Sequence, residues 1–276
     1  MSNISKAFDH GKAFIGFVTG GDPTVEKTEE FILAMVRAGA DLVEIGIPFS
    51  DPIAEGVVIQ DANIRALKAG ATVAKMFDIV QNVRKQTDVP IVFLTYFNPV
   101  FKFKTDGNAG IAGTESFLKR CGECGVDGII IPDLPFEESG EVKQYAAKYN
   151  VDLISLIAPT SKERIAAIAR SANGFIYVVS SMGVTGVRAK IETDLGSILK
   201  TIKDAARSSV MNERKSEVPA AVGFGINTPQ QAKEISKIAD GVIVGSAIVK
   251  IVERYGADAA SHLGEYVSSM KNAMSS

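Results

Sequence analysis

Eight times along its 276 residues the chain repeats one pattern: a short, β-branched apolar run, then an amphipathic helical stretch. The candidate strands are AFIGFVT (13–19), LVEIGI (42–47), IVFLTY (91–96), GIIIPD (128–133), DLISLIA (152–158), FIYVVS (175–180), PAAVGF (219–224) and GVIVG (241–245). They are apolar along their whole length, as parallel strands covered on both faces must be. The intervening stretches show helical spacing; in EKTEEFILAMVRAG, Phe31, Ile32, Met35 and Val36 form one stripe that stops at Gly39. Eight such units without a Pro/Ser-rich linker predict a (β/α)8 barrel, a TIM barrel, built as a single domain over residues 1–276. A doubly wound open sheet is the alternative, but it rarely uses so many even units.

In such a barrel the chemistry lies at the C-terminal ends of the strands and in the loops that follow. Three of these loops exceed the usual 2–6 or so residues. They follow the second strand (Pro48 to Val58), the third (FNPVFKFKTDGNAGIAGTES) and the sixth (SMGVTGVRAKIETD). Their length suits lids or partner surfaces. The polar segment 208–218 precedes the seventh strand at the opposite end and reads as a solvated insertion.

Composition removes several function classes. A net charge of −2 gives no basic footprint for nucleic acid. No apolar run approaches the roughly 18–20 residues of a membrane span, and the first residues lack a signal-peptide core, so a cytoplasmic location is expected. Cys121 and Cys124 have C-x-x-C spacing, but no second ligand pair accompanies them, and His10 and His262 lie near opposite ends of the chain. The cysteines read as small apolar residues of a helix in a reducing compartment.

Within the second strand one residue breaks the apolar pattern. Glu44 alternates with Leu42 and Gly46 on one face, and a second carboxylate, Glu55, follows in the Pro- and Gly-marked loop. Burying a carboxylate without a cation costs several kcal/mol or raises its pKa, which suits a group that gives and retakes a proton. No candidate strand carries Lys or Arg to pair with it. Near the C-terminus, GFGIN (223–227) and GSAIVK (245–250) follow the seventh and eighth strands. Gly223, Gly225 and Gly245 can bring bare N–H groups to an anion, and Ser246 would head a helix whose dipole favours negative charge. A third contribution is expected from Gly183 or Gly186 in the loop after the sixth strand. The substrate expected is small and phosphorylated.

Absent residues narrow the chemistry. No strand offers a Schiff-base Lys, two histidines cannot build a catalytic metal site, and no G-x-S-x-G element occurs. Acid–base work remains. Carbon–carbon cleavage under these limits needs a substrate with its own electron sink, and an indole protonated at C3 is one.

The motifs resemble those of the tryptophan synthase alpha subunit family. E-I-G-I-P-F-S-D-P (44–52) with I-Q (59–60), F-V-T-G-G-D-P (17–23), S-x-G-V-T-G (181–186), G-F-G-I (223–226) and G-S-A-I-V-K (245–250) carry the resemblance from about Phe14 to Tyr255. It implies retro-aldol cleavage of indole-3-glycerol phosphate to indole and glyceraldehyde 3-phosphate. Glu44 matches the family's acid–base glutamate, Glu55 the second carboxylate, and Tyr177 the tyrosine beside the glycerol. Phe17, Leu94, Ile130 and Phe224 match the apolar wall around the indole. Thr185 matches the threonine of the closing loop, and Gly186, Gly225, Gly245 and Ser246 the phosphate contacts; Gly223 belongs to the same turn. The resemblance further implies no cofactor in this chain, and a pyridoxal-phosphate β subunit in an α2β2 complex, met through the loops after the second, third and sixth strands. Two positions depart from the family pattern: Glu55 stands where Asp is usual, and Val57 where proline is. A stand-alone lyase, and a weakly active subunit that mainly activates its partner, stay open as alternatives.

Overall fold

The computed structural model describes residues 2–104, 113–180, 188–210 and 218–275. Among the described residues nine strands form one fully parallel sheet: β1 (Ala13–Thr19), β2 (Leu42–Gly46), β3 (Ile91–Leu94), β4 (Gly128–Ile130), β5 (Asp152–Leu153), β6 (Ser155–Ile157), β7 (Ile176–Val179), β8 (Ala220–Gly223) and β9 (Gly241–Val244). Their order is β5-β4-β3-β2-β1-β9-β8-β7-β6. The two terminal strands, β5 and β6, are consecutive in the chain and separated only by Ile154, so the sheet closes on itself as an eight-unit TIM barrel.

The fifth predicted strand is thus divided. Its first half pairs with β4 (Gly128 with Asp152, Ile129 with Leu153), and its second half with β7 (Ser155 with Ile176 through Ile157 with Val178). The run DLISLIA gives no local sign of this break, because the change of partner is set by how the strands around it tilt.

Among the described residues the helices are α1 (Val25–Arg37), α2 (Val57–Lys68), α3 (Val73–Arg84), α4 (Phe97–Phe101), α5 (Gly113–Cys124), α6 (Gly140–Lys148), α7 (Lys162–Ser171), α8 (Arg188–Val210), α9 (Pro229–Ser236), α10 (Ser246–Tyr255) and α11 (Ala259–Met274). Hydroxyl side chains cap the starts of several helices. Thr24, Thr72 and Ser161 accept the third-residue N–H at the heads of α1, α3 and α7, and Thr228 forms a capping box with Gln231 on α9. Phe31, Ile32 and Met35 of α1 are buried, and the chain leaves the helix through Gly39 at φ +102°.

Two apolar layers result. The larger lies between strands and helices, with Phe14, Val43, Phe93, Phe117 and Ile176 among its members. The smaller fills the barrel, with Ile15, Leu42, Val92, Ile130, Ile154, Phe175, Tyr177, Ala221 and Ile243. The alternation of each strand between these layers assigns an inward face to Phe17, Glu44, Leu94, Tyr177, Gly223 and Gly245.

The long loops are shorter than the sequence suggests, because α4 and the start of α5 occupy both ends of the stretch after β3. Similarly α8 starts at Arg188, inside the stretch after β7, and runs through residues 208–210 of the segment expected to be a solvated insertion. No helix among the described residues is long and apolar enough to cross a membrane.

Candidate active site

Glu44 stands in register with Phe17 of β1 on one side and Val92 of β3 on the other. It is 1% exposed, and its Oε2 has no hydrogen-bond partner among the described residues. Loss of hydration, and secondarily the negative charge of Glu55, push its pKa from 4.5 up to about 8. No cation among the described residues offsets either effect. The Tyr177 phenol, across the barrel on β7, is raised by burial and then by the charge of Glu44. That brings hydroxyl and carboxyl within electrostatic reach of each other.

Glu55 lies in the segment between β2 and α2, and three residues outside that segment hold it. Asn63 of α2 donates its amide to Oε2 at 3.2 Å, and Gln60 donates to the Glu55 carbonyl at 2.8 Å. The Tyr96 hydroxyl, just past β3, accepts the Ala54 N–H at 2.9 Å and also bonds the Glu55 carboxyl. Burial raises the pKa of Glu55, while the bonds from Asn63 and Tyr96 work against it by stabilising the anion. Helix α2 is itself tied to the end of β1 by Arg65, whose Nε and Nη2 reach the buried Asp22 carboxylate at 3.0 and 2.8 Å.

The apolar wall forms in two parts. Phe17 clusters with Ala62 and Val249, and Val58, Ile59 and Leu94 pack on them; Ile130 pairs with Leu94 but belongs to the barrel interior. Phe224 stands apart as a 45% exposed ring meeting Tyr177 edge-on at 6.3 Å between centroids. Its backbone has φ +72°, the left-handed region a bulky residue rarely adopts. Ser180 holds it there: its Oγ donates to the Phe224 carbonyl at 2.7 Å, and its N–H to the Gly223 carbonyl at 3.1 Å. Gly225 follows at φ +79°.

Gly223 is required by close approach. A Cβ there would stand 2.5 Å from the Tyr177 hydroxyl. Beside it a cavity of about 410 Å3 is lined by Tyr177, Gly225, Asn227, Gly245, Ser246 and Lys250, with Ile59, Phe224, Ile226, Ile243 and Ala247. Gly245 precedes α10, which has no side-chain cap and no acidic residue in its first turn. Its leading N–H groups lack helical partners, which is what an anion site requires.

The structure therefore brings together Glu44, Glu55, Tyr177, Phe17, Leu94, Ile130, Gly223, Phe224, Gly225, Gly245 and Ser246 at or just beneath one end of the barrel. Thr185 and Gly186 lie outside the described residues. Sequence reasoning missed Tyr96, Asn63 and Ser180, and gave Ile59 no role beyond its place in the I-Q motif. Only Asn63 left a trace, as a polar residue in the buried stripe of Ala62 and Ala66 on α2. Cys121 and Cys124 are buried, unoxidised and raised in pKa chiefly by burial. No metal-binding cluster occurs among the described residues.

The family model for the tryptophan synthase alpha chain matches residues 4–275. A tryptophan synthase alpha chain of Lacticaseibacillus casei is 45% identical over 274 residues, covering 99% of this chain and 96% of that one. The crystal structure of tryptophan synthase subunit alpha from Legionella pneumophila superposes with a TM-score of 0.83 at 34% identity, covering 100% of this chain and 99% of that one. A Pyrococcus furiosus structure, described as a tryptophan synthase α2β2 complex, gives a TM-score of 0.82 at 35% identity and covers 95% of this chain and 98% of that one. With these matches over nearly its whole length, and with a buried glutamate and a glycine-lined cavity in one barrel mouth, the chain belongs to the tryptophan synthase alpha chain family.

Proposed function

We propose that Glu44 and Glu55 carry the proton chemistry of the family reaction, the lyase cleavage of indole-3-glycerol phosphate to indole and glyceraldehyde 3-phosphate. The observation that carries this assignment is Glu44: a fully buried carboxyl with an unpartnered oxygen and no cation among the described residues, and a pKa of about 8. Near neutral pH it is protonated, so it begins as an acid. It gives its proton to indole C3, forming a cationic indolenine. As a carboxylate it then takes the proton of the C3′ hydroxyl while the C3–C3′ bond breaks. The electrons of that bond flow into the C=N+ group and restore the indole, and Glu44 ends protonated as it began. Glu55 receives the indole N–H and offsets the cation that forms, for which it must be ionised. Tyr177 flanks the glycerol. Phe17, Leu94, Ile130 and Phe224 enclose the ring, Gly225, Gly245 and Ser246, with Gly186, receive the phosphate, and Thr185 belongs to the closing loop.

Glu55 is one methylene longer than the usual Asp. A displacement of about 1 Å at a reacting group can cost a hundredfold in rate. Asn63 and Tyr96 bear on the point, since together they fix where the longer carboxyl ends.

The partner is a β subunit carrying pyridoxal phosphate, in an α2β2 assembly, and this chain supplies residues only. Exposed apolar side chains favour the segments after β2 and β3 as the contact: Ile53 is 80% exposed and Phe101 on α4 is 55% exposed. The two reduced cysteines suit a cytoplasmic setting.

The test is the rate of indole release from indole-3-glycerol phosphate, with and without a β subunit, for the wild-type chain, Glu44→Gln and Glu55→Asp. Glu44→Gln is expected to lose roughly 10²–10⁴-fold. A Glu44→Gln chain that kept its rate would overturn the assignment. High turnover alone, unchanged by the partner, would point instead to a stand-alone lyase.

A further inference from the structure

We infer that Lys250 supplies the counter-charge to the substrate phosphate and makes this site selective for a phosphorylated ligand. The inference rests on the cavity beside Tyr177 being the phosphate pocket. A phosphate monoester carries nearly two negative charges near neutral pH. The glycine N–H groups, the Ser246 hydroxyl and the end of α10 offer partial charges only, about half an elementary charge for the helix dipole. Lys250 is the one charged side chain lining that cavity among the described residues. It lies four residues after Ser246 on α10, so the two share a helix face, and both line the same space.

Lys250 is also free to act. Among the described residues it makes no ion pair and no hydrogen bond, whereas the neighbouring acid on α10, Glu253, is paired with Arg65 at 3.6 Å. Being exposed on the rim, its ammonium can meet an incoming anion before the phosphate reaches the N–H groups beneath. The backbone cradle would then fix position, while Lys250 discriminates by charge.

The experiment compares the full-length wild-type chain with Lys250→Gln and Lys250→Arg. Binding of inorganic phosphate and of glycerol 3-phosphate is measured by titration calorimetry at two salt concentrations, beside steady-state kinetics on indole-3-glycerol phosphate. Lys250→Gln is expected to weaken both anions and raise KM roughly tenfold, the scale of one charge-assisted contact, with the loss in KM and not in kcat. Its binding should also depend less on salt, and Lys250→Arg should restore most of the affinity. Melting temperatures should agree within a degree or so, since an exposed side chain is being exchanged. Anion affinity and KM within twofold of wild type for Lys250→Gln would overturn the inference, as would equal loss in Lys250→Arg. If the wild-type chain bound the anions but failed to cleave the substrate, the reading of the reaction would fail, and the anion titrations would still decide the role of Lys250.

Discussion

Glu44 combines two properties that pull against each other. Its burial makes it a proton donor near neutral pH, and the same burial strains the fold. An unfolded chain ionises this glutamate above pH 4.5, whereas the folded chain holds the proton until about pH 8. The folded state therefore binds more protons across that window, so its stability falls as pH rises from 4.5 to 8 and changes no further on this account above it. Glu44→Gln removes the titration. Its melting temperature should exceed that of wild type by a few degrees at pH 8, and the gap should close toward pH 4.5, as scanning calorimetry across pH would show. The rate should follow the same proton. We expect kcat/KM for indole-3-glycerol phosphate to fall as pH rises through about 8, where Glu44 loses its acid form. It should also fall in acid, where Glu55 gains a proton; burial raises the pKa of Glu55 and moves that limb upward from the ordinary glutamate position.

At the scale of elements, the site depends on contacts between neighbours in the barrel. The turn from β8 carries Phe224 in a left-handed conformation, and Ser180, at the end of β7, holds that turn by its carbonyls. Ser180→Ala should release Phe224 to ordinary backbone angles and lower kcat/KM about tenfold, with a loss of roughly 1 kcal/mol in stability. Steady-state kinetics with urea unfolding would test both. Gly223→Ala is expected to act more severely, near a hundredfold, because its Cβ meets the Tyr177 hydroxyl at 2.5 Å. The two variants also mark how far the sequence can be read. Glu44 was legible because a charge interrupts an apolar run, and the glycine-lined cavity because two Gly-bearing turns follow consecutive strands. Ser180 and Tyr96 were not. Each acts through a hydrogen bond to a residue more than forty positions away, and no local spacing encodes such a bond.

For the molecule as a whole, the eight-fold alternation was sufficient to give the barrel, since apolar strands of that number have few other ways to cover both faces. The division of the fifth strand lay beyond it. The outer surface near the active mouth is unusually apolar, with Ile53, Val57 and Phe101 all exposed. Phe101→Asp lies away from the reacting groups and should leave the unassisted lyase rate within about twofold while weakening stimulation by a β subunit at least tenfold. Titrating that subunit into an indole-release assay would measure both.

The wall at Ile154 behaves unlike the remainder of the cylinder. Residues 152–153 are stitched to β4 alone and residues 155–157 to β7 alone, so this strand has a neighbour on only one side at a time. Elsewhere, freeing a strand means breaking two ladders; here, freeing either half of the strand means breaking one. Amide hydrogen exchange should therefore be fastest, among the barrel strands, along 153–157, and slowest in β1 and β2. The protein would then breathe along a longitudinal slit on the flank of the cylinder, with the strand bearing Glu44 kept still.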